Sequence, residues 1–103
     1  MSNFFIILAA GESKRFNSYI PKPYIVYKGK PIIQHSIDKA QKCKKIDKIL
    51  LVINKKHKKF IKTLNIKNLK ILYGGKTRAE SSYKAMQSIK KNKVKNVFIH
   101  DAA

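Results

Sequence analysis

One cysteine is too few for an internal disulfide, so Cys43 leaves the 103-residue chain without a covalent staple. The three histidines, His35, His57 and His100, have no metal-ligand spacing with one another or with Cys43. Long hydrophobic runs are missing as well. The longest, Phe4 to Ala10, falls far short of the ~20 apolar residues that span a bilayer. Met1-Ser2-Asn3 offers no basic leader, and the apolar run ends in Gly-Glu-Ser-Lys-Arg with no small-residue cleavage site, so the sequence predicts a cytoplasmic protein. Glycine is scarce where nucleotide-binding loops spend it. Gly11 stands alone after the first apolar run, and the second run ends in Ile53-Asn54 with no acid, which excludes a dinucleotide fingerprint on both counts. Gly75-Lys76-Thr77 looks like the end of a Walker A loop, but Lys70 occupies the place of its first glycine, inside an apolar run with no room for the phosphate-wrapping loop.

Acids are few: five against 24 lysines and arginines, a net charge of +19. Such a balance raises a nucleic-acid-binding module as a reading of a different class. The kind of base argues against it. Only Arg15 and Arg78 are arginine, and the lysines are strewn through the whole chain amid many Ile and Asn residues. A base-reading surface uses arginine's planar fork, whereas an A+T-rich coding bias yields this composition without any nucleic-acid partner.

What the chain does have is the rhythm of an α/β domain. Hydrophobic content is 44%, ordinary for a globular protein, and residues 1–103 read as one domain or part of one. Four short apolar runs, Phe4–Leu8, Lys48–Ile53, Leu69–Tyr73 and Asn96–His100, suit buried parallel strands. Between them lie helical patterns. Pro31 is placed for a first helical position, followed by Ile32, Ile33, Ile37 and Ala40 on one face. A basic helix is predicted over Lys55 to Leu64 with Phe60, Ile61 and Leu64 inward. A third helix opens on a Thr77…Glu80 capping box, its expected apolar stripe being Ala79, Tyr83, Met86 and Ile89. The alternation predicts a parallel sheet with right-handed crossovers and helices on both faces, binding ligands at the carboxyl ends of its strands.

One connection breaks the rhythm. The segment AAGESKRFNSYIPKPYIVYKGKP, after the first run, is far longer than the usual ~2–6 residues of a strand-to-helix loop, and loops of that length are commonly functional. Ala9, Ala10 and Gly11 present no bulky side chain to an approaching ligand. Arg15 and Lys22 add two cations beyond the bend. Gly74-Gly75 before the third helix offers backbone donors and a positive helix end, suited to an anion or a nucleobase edge.

Three islands, LAAGESKRF…PKPY at Leu8–Tyr24, GGKTRAESS at Gly74–Ser82 and HDAA at His100–Ala103, together with GKPIIQHSI between the first two, resemble the 2-C-methyl-D-erythritol 4-phosphate cytidylyltransferases of the non-mevalonate isoprenoid pathway. The resemblance implies the N-terminal half of a Rossmann-like, GT-A-like nucleotidyltransferase fold, with a sheet that becomes mixed when complete. It implies transfer of CMP from CTP to 2-C-methyl-D-erythritol 4-phosphate, with pyrophosphate released and Mg²⁺ as cofactor. Arg15 and Lys22 match the pair that stabilises the transition state. Ala9, Ala10 and Gly11 match backbone contacts to the nucleotide, Gly75 and Ser81 match contacts to cytosine, and Arg78 matches a loop-organising residue. Asp101 is the candidate for holding the metal, or for positioning the acceptor. The resemblance further implies that the family pattern runs on past Ala103 and that the complete enzyme is a homodimer, while the short apolar runs and scarce arginine predict neither membrane nor specific nucleic acid as a partner. Some relatives carry a fused cyclodiphosphate synthase. Pro23 stands where the family usually has glutamine and Phe16 where methionine is common. Ribitol-5-phosphate cytidylyltransferases share the three islands, and Lys-Pro-Tyr is similar to the related sugar-1-phosphate nucleotidyltransferases, so a sugar-alcohol phosphate such as ribitol 5-phosphate, or another sugar phosphate, stays open as the acceptor. Both arginines fall inside the islands, as do Glu12, Glu80 and Asp101 among the five acids.

Overall fold

The structure, a computed structural model, describes residues 1–11 and 20–102. Its frame is a four-stranded parallel sheet in the order β5-β4-β1-β6, built from β1 (Ser2–Ala9), β4 (Lys48–Ile53), β5 (Leu69–Tyr73) and β6 (Val94–Asp101). Central β1 pairs with β4 from Phe4↔Lys48 to Ala9↔Ile53, and with β6 as far as Leu8↔Asp101. Strand periodicity of two sorts the apolar residues onto opposite faces. Ile7 and Ala9 of β1, with Ile49, Leu51 and Ile53 of β4, pack under Ile33, Ile37 and Ala40 of helix α1 (Ile32–Lys42). Phe4, Ile6 and Leu8, with Leu50 and Val52, pack under Ala85 and Ile89 at the end of helix α2 (Arg78–Ser88).

The chain steps outward from β1 to β4 to β5, then returns past all three to β6 on the far side of β1. Because crossovers keep one hand, this reversal puts α1 and α2 on opposite faces and opens a crevice at the carboxyl ends of β1 and β6. Two strand spans, Lys48–Ile53 and Leu69–Tyr73, agree with the apolar runs, and the other two strands extend theirs by a residue or more.

Three elements differ from expectation. Pro31 is the N-cap of α1, with φ −54° and ψ 144°, because it is already committed to a strand. That strand is β3 (Lys30–Pro31), paired antiparallel with β2 (Val26–Tyr27) in a short hairpin within the long connection. Lys28 and Gly29 turn it, with φ of 51° and 86°, the left-handed conformation a two-residue hairpin loop demands. The hairpin is tied to α1 by Lys30 and Asp38, and the hydrogen bond from Lys30 holds the Asp38 carboxyl below the usual carboxylate range.

The basic helix forms as a 3-10 segment, Lys55–Thr63, with the Asn54 side chain accepting from the Lys56 N–H at its start. In α2 the expected stripe holds at Ile89 and fails at its other three residues. Tyr83 and Met86 are 65% and 42% exposed, and Ala79 is exposed too, while Ser81, Ala85 and Ile89 face the sheet. Small residues on the inner face let the helix backbone lie close to β1 and β4, which a Tyr/Met stripe would prevent.

Candidate functional site

The crevice predicted by the strand order is a cleft of about 340 Å³. Four separate stretches of chain wall it: Leu8–Gly11 at the end of β1, Lys22 and Pro23, the turn from Gly75 into α2, and Asp101 at the end of β6. Ala9, Ala10, Gly11, Lys22, Gly75, Arg78, Ser81 and Asp101, all singled out from the sequence, line it together. Arg15 lies outside the described residues, as do Glu12 and Phe16. The cleft is also lined by Leu8, Pro23, Lys76 and Thr77, none of them named from the sequence as a site residue. Their place beside Gly75 and Lys22 in the islands was the available signal.

Each wall follows from local chemistry. Ala10 is buried and Gly11 exposed, and a Cβ added at Gly11 would meet nothing within 4 Å, so the fold itself does not require glycine there. Gly74 is different. A side chain there would run into Ala10, and a Cβ would lie 2.5 Å from Ser81 Oγ and 3.1 Å from Val52. The two glycines are thus needed for the turn to seat against β1 and α2, since Gly75 is likewise crowded by Glu80.

The backbone donors expected from this turn are already spent. The Gly74 N–H donates to Ile53 O at 2.8 Å, the Gly75 N–H to Ser81 Oγ at 3.1 Å and the Lys76 N–H to Glu80 Oε2 at 2.7 Å. Thr77 caps the helix as predicted, its Oγ1 accepting from the Glu80 N–H at 3.1 Å, while Glu80 reaches one residue further back than in a standard capping box. What the turn still offers a ligand is carbonyl oxygens. Ser81, only 2% exposed, accepts from Gly75 and keeps its own O–H to donate.

Charge in the cleft comes from exposed Lys22 and Lys76, from Arg78 and from Asp101. Arg78 Nε donates to Asp101 Oδ1 at 3.0 Å, with side chains 62% and 57% exposed. A pair so open to solvent contributes little to stability, ~0–1 kcal/mol at most. Its effect is orientation, because the bond uses Nε and leaves both terminal amino groups of Arg78 out of it. Among the described residues no group of three or more His, Cys, Asp or Glu side chains could cage a metal. Among the described residues Asp101 is the one carboxylate lining the cleft. A single carboxylate suits an ion such as Mg²⁺, which keeps waters and takes its other ligands from substrate phosphates. Next to this cleft, sharing Ala10, Gly75 and Lys76 with it, is a recess lined by Lys55, Lys56 and Lys84 that raises the positive potential at the strand ends.

The family model of IspD, 2-C-methyl-D-erythritol 4-phosphate cytidylyltransferase, matches residues 4–103. The chain is 68% identical over its whole length to the bifunctional enzyme IspD/IspF of Pelagibacter ubique, of which it covers 28%. It is 40% identical to the 2-C-methyl-D-erythritol 4-phosphate cytidylyltransferase of Clostridioides difficile, across 95% of the chain and 43% of that protein. The crystal structure of the Francisella tularensis 2-C-methyl-D-erythritol 4-phosphate cytidylyltransferase superposes with a TM-score of 0.73 at 31% identity, over 99% of this chain and 45% of that one. The chain thus spans less than half the length of these relatives.

Proposed function

The chain belongs to the 2-C-methyl-D-erythritol 4-phosphate cytidylyltransferase family, and from that premise we propose that residues 1–103 form the CTP-binding part of one nucleotidyltransferase domain. The complete enzyme transfers CMP from CTP to 2-C-methyl-D-erythritol 4-phosphate, giving 4-diphosphocytidyl-2-C-methyl-D-erythritol and pyrophosphate. The observation that carries this reading is the convergence of four chain segments on one cleft at the carboxyl ends of β1 and β6.

Cytosine presents an exocyclic amino donor beside ring acceptors. Carbonyl oxygens of the Gly74-Gly75 turn suit the amino group, and the Ser81 O–H suits an acceptor. Uracil, with an oxygen in place of the amino group, would set acceptor against acceptor. Ribose and triphosphate then run past Ala9-Ala10-Gly11, where no side chain obstructs them. A phosphate oxygen of the acceptor attacks the α-phosphorus of CTP, the new P–O bond forms as the bond to the β-phosphate oxygen breaks, and the electron pair leaves on pyrophosphate. Both reactants are anions, so fixed positive charge lowers the barrier. Lys22 supplies a point charge on the α-phosphate or the leaving group, and Arg15 supplies a bidentate fork. Arg78, steadied by Asp101, organises the wall between them. Asp101 would hold Mg²⁺, which when bound neutralises phosphate charge. The reading carries a cytoplasmic location and a homodimeric complete enzyme with it. No helix among the described residues is long and apolar enough to cross a membrane.

The test is pyrophosphate release by the complete gene product. With Mg²⁺ and CTP it should occur only when 2-C-methyl-D-erythritol 4-phosphate is added, and UTP should not replace CTP. Release with ribitol 5-phosphate and not with the methylerythritol compound would move the assignment to that acceptor.

A further inference from the structure

Lys22 is exposed, yet two residues later Tyr24 is 3% exposed. Its ring stacks on Phe60, with centroids 5.3 Å apart and planes at 23°, and meets His57 edge-on at 6.1 Å. His57 and Phe60 contact each other as well, at 6.4 Å. Both sit on the 3-10 segment Lys55–Thr63, none of whose residues is buried and most of whose side chains are solvated lysines. Neither lines the cleft. On its other side Tyr24 joins the core cluster of Ile33, Ile37 and Ile53.

Between this ring and Lys22 there is little slack. Lys22–Tyr24 is a 3-10 turn closed by the Tyr24 N–H to Pro21 O at 2.9 Å and the Ile25 N–H to Lys22 O at 3.2 Å. Pro23, buried and fixed in φ, sits between the two side chains. The turn is therefore a short stiff lever with an aromatic foot in the core and a lysine at the cleft. We propose that Tyr24, clasped by Phe60 and His57, is a positioning residue that holds Lys22 at the nucleotide cleft. The inference rests on the proposed transferase reading and assigns the 3-10 segment a part in it.

The clasp works through the ring. Among the described residues the Tyr24 hydroxyl has no hydrogen-bond partner, and an unpartnered buried hydroxyl adds nothing to the hold. Phenylalanine should serve equally well at this position.

The experiment uses the complete gene product with the variants Tyr24→Phe, Tyr24→Leu and Phe60→Leu. Steady-state kinetics with CTP and 2-C-methyl-D-erythritol 4-phosphate are read beside amide hydrogen exchange. Tyr24→Phe should match the parent in both. Tyr24→Leu and Phe60→Leu should each lower kcat, by about tenfold to a hundredfold for a small misplacement, with the KM for CTP little changed. In both, exchange at the Tyr24 and Ile25 amides should quicken while the β4 amides of Leu51 and Val52 stay protected. Unchanged kcat in Phe60→Leu with quickened exchange would overturn the positioning role. Unchanged exchange at Tyr24 and Ile25 would overturn the clasp itself. A parent protein without CTP-dependent activity would defeat the transferase reading instead, and the exchange data would still decide the clasp.

Discussion

Single residues in this site carry duties that follow from what they exclude. Gly74 is tied to its place by Ala10, Ser81 and Val52, none of which can withdraw without disturbing β1, β4 or α2. Gly74→Ala should cost about 1–3 kcal/mol through overpacking, read as a lowered denaturant midpoint. Gly11→Ala, with nothing near the added methyl, should leave the midpoint unchanged and weaken only CTP binding. Equal destabilisation by both would refute the contrast. Tyr24 makes a second residue-scale statement. Burial pushes its hydroxyl up to about 12 from 10.0. The folded state therefore binds the proton more tightly than the unfolded chain does. The stability this confers is complete below pH 10 and is lost as pH rises through about 12. Thermal midpoints followed from pH 9 to 12 should fall more steeply for the parent than for Tyr24→Phe, and parallel curves would contradict the buried hydroxyl.

At the scale of elements, α2 is held at its start more than along its length. Thr77 caps it, Glu80 ties back to Lys76, and Ser81 receives the Gly75 N–H, so the first turn and the cleft wall are one unit. Thr77→Ala should cost ~1 kcal/mol by loss of the cap and loosen nucleotide binding at the same time, whereas Tyr83→Lys on the exposed face should leave both unaltered. A Tyr83→Lys change as costly as Thr77→Ala would show that face to be covered. The cap was legible because Thr and Glu at that spacing are a local signal. Of the inward face of α2 only Ile89 was legible, since Ser81 and Ala85 carry less hydrophobicity than Tyr83 and Met86, and only the closeness of the sheet explains the preference for small residues. Lys48–Ile53 and Leu69–Tyr73 could be read directly, each an aliphatic run between polar residues and turns. The hairpin at Lys28-Gly29 was hidden by its two-residue strands, too short for any periodicity. Site residues were legible as types in islands. Their meeting was not, because it depends on β6 returning beside β1, and the occupied amides at Gly74, Gly75 and Lys76 depend on side-chain bonds that no spacing reveals.

For the whole molecule, strand order decides where chemistry can occur. The reversal between β5 and β6 brings Asp101 beside Leu8 and so to the mouth of the same cleft as Lys22. Lys22 and Lys76 in the cleft and Lys55, Lys56 and Lys84 in the adjoining recess speed the approach of any polyanion and by themselves favour none. On the proposed reading, specificity comes from the uncharged wall at Gly75 and Ser81. The most direct test of that claim is a titration of the complete gene product with CTP, followed by amide chemical shifts at a salt concentration high enough to screen the lysines, with UTP and ATP in parallel. The largest changes should fall on Ala9, Ala10, Gly11, Gly75 and Ser81, with CTP alone saturating. Changes centred on Lys55–Thr63, or the same response to all three nucleotides, would contradict it.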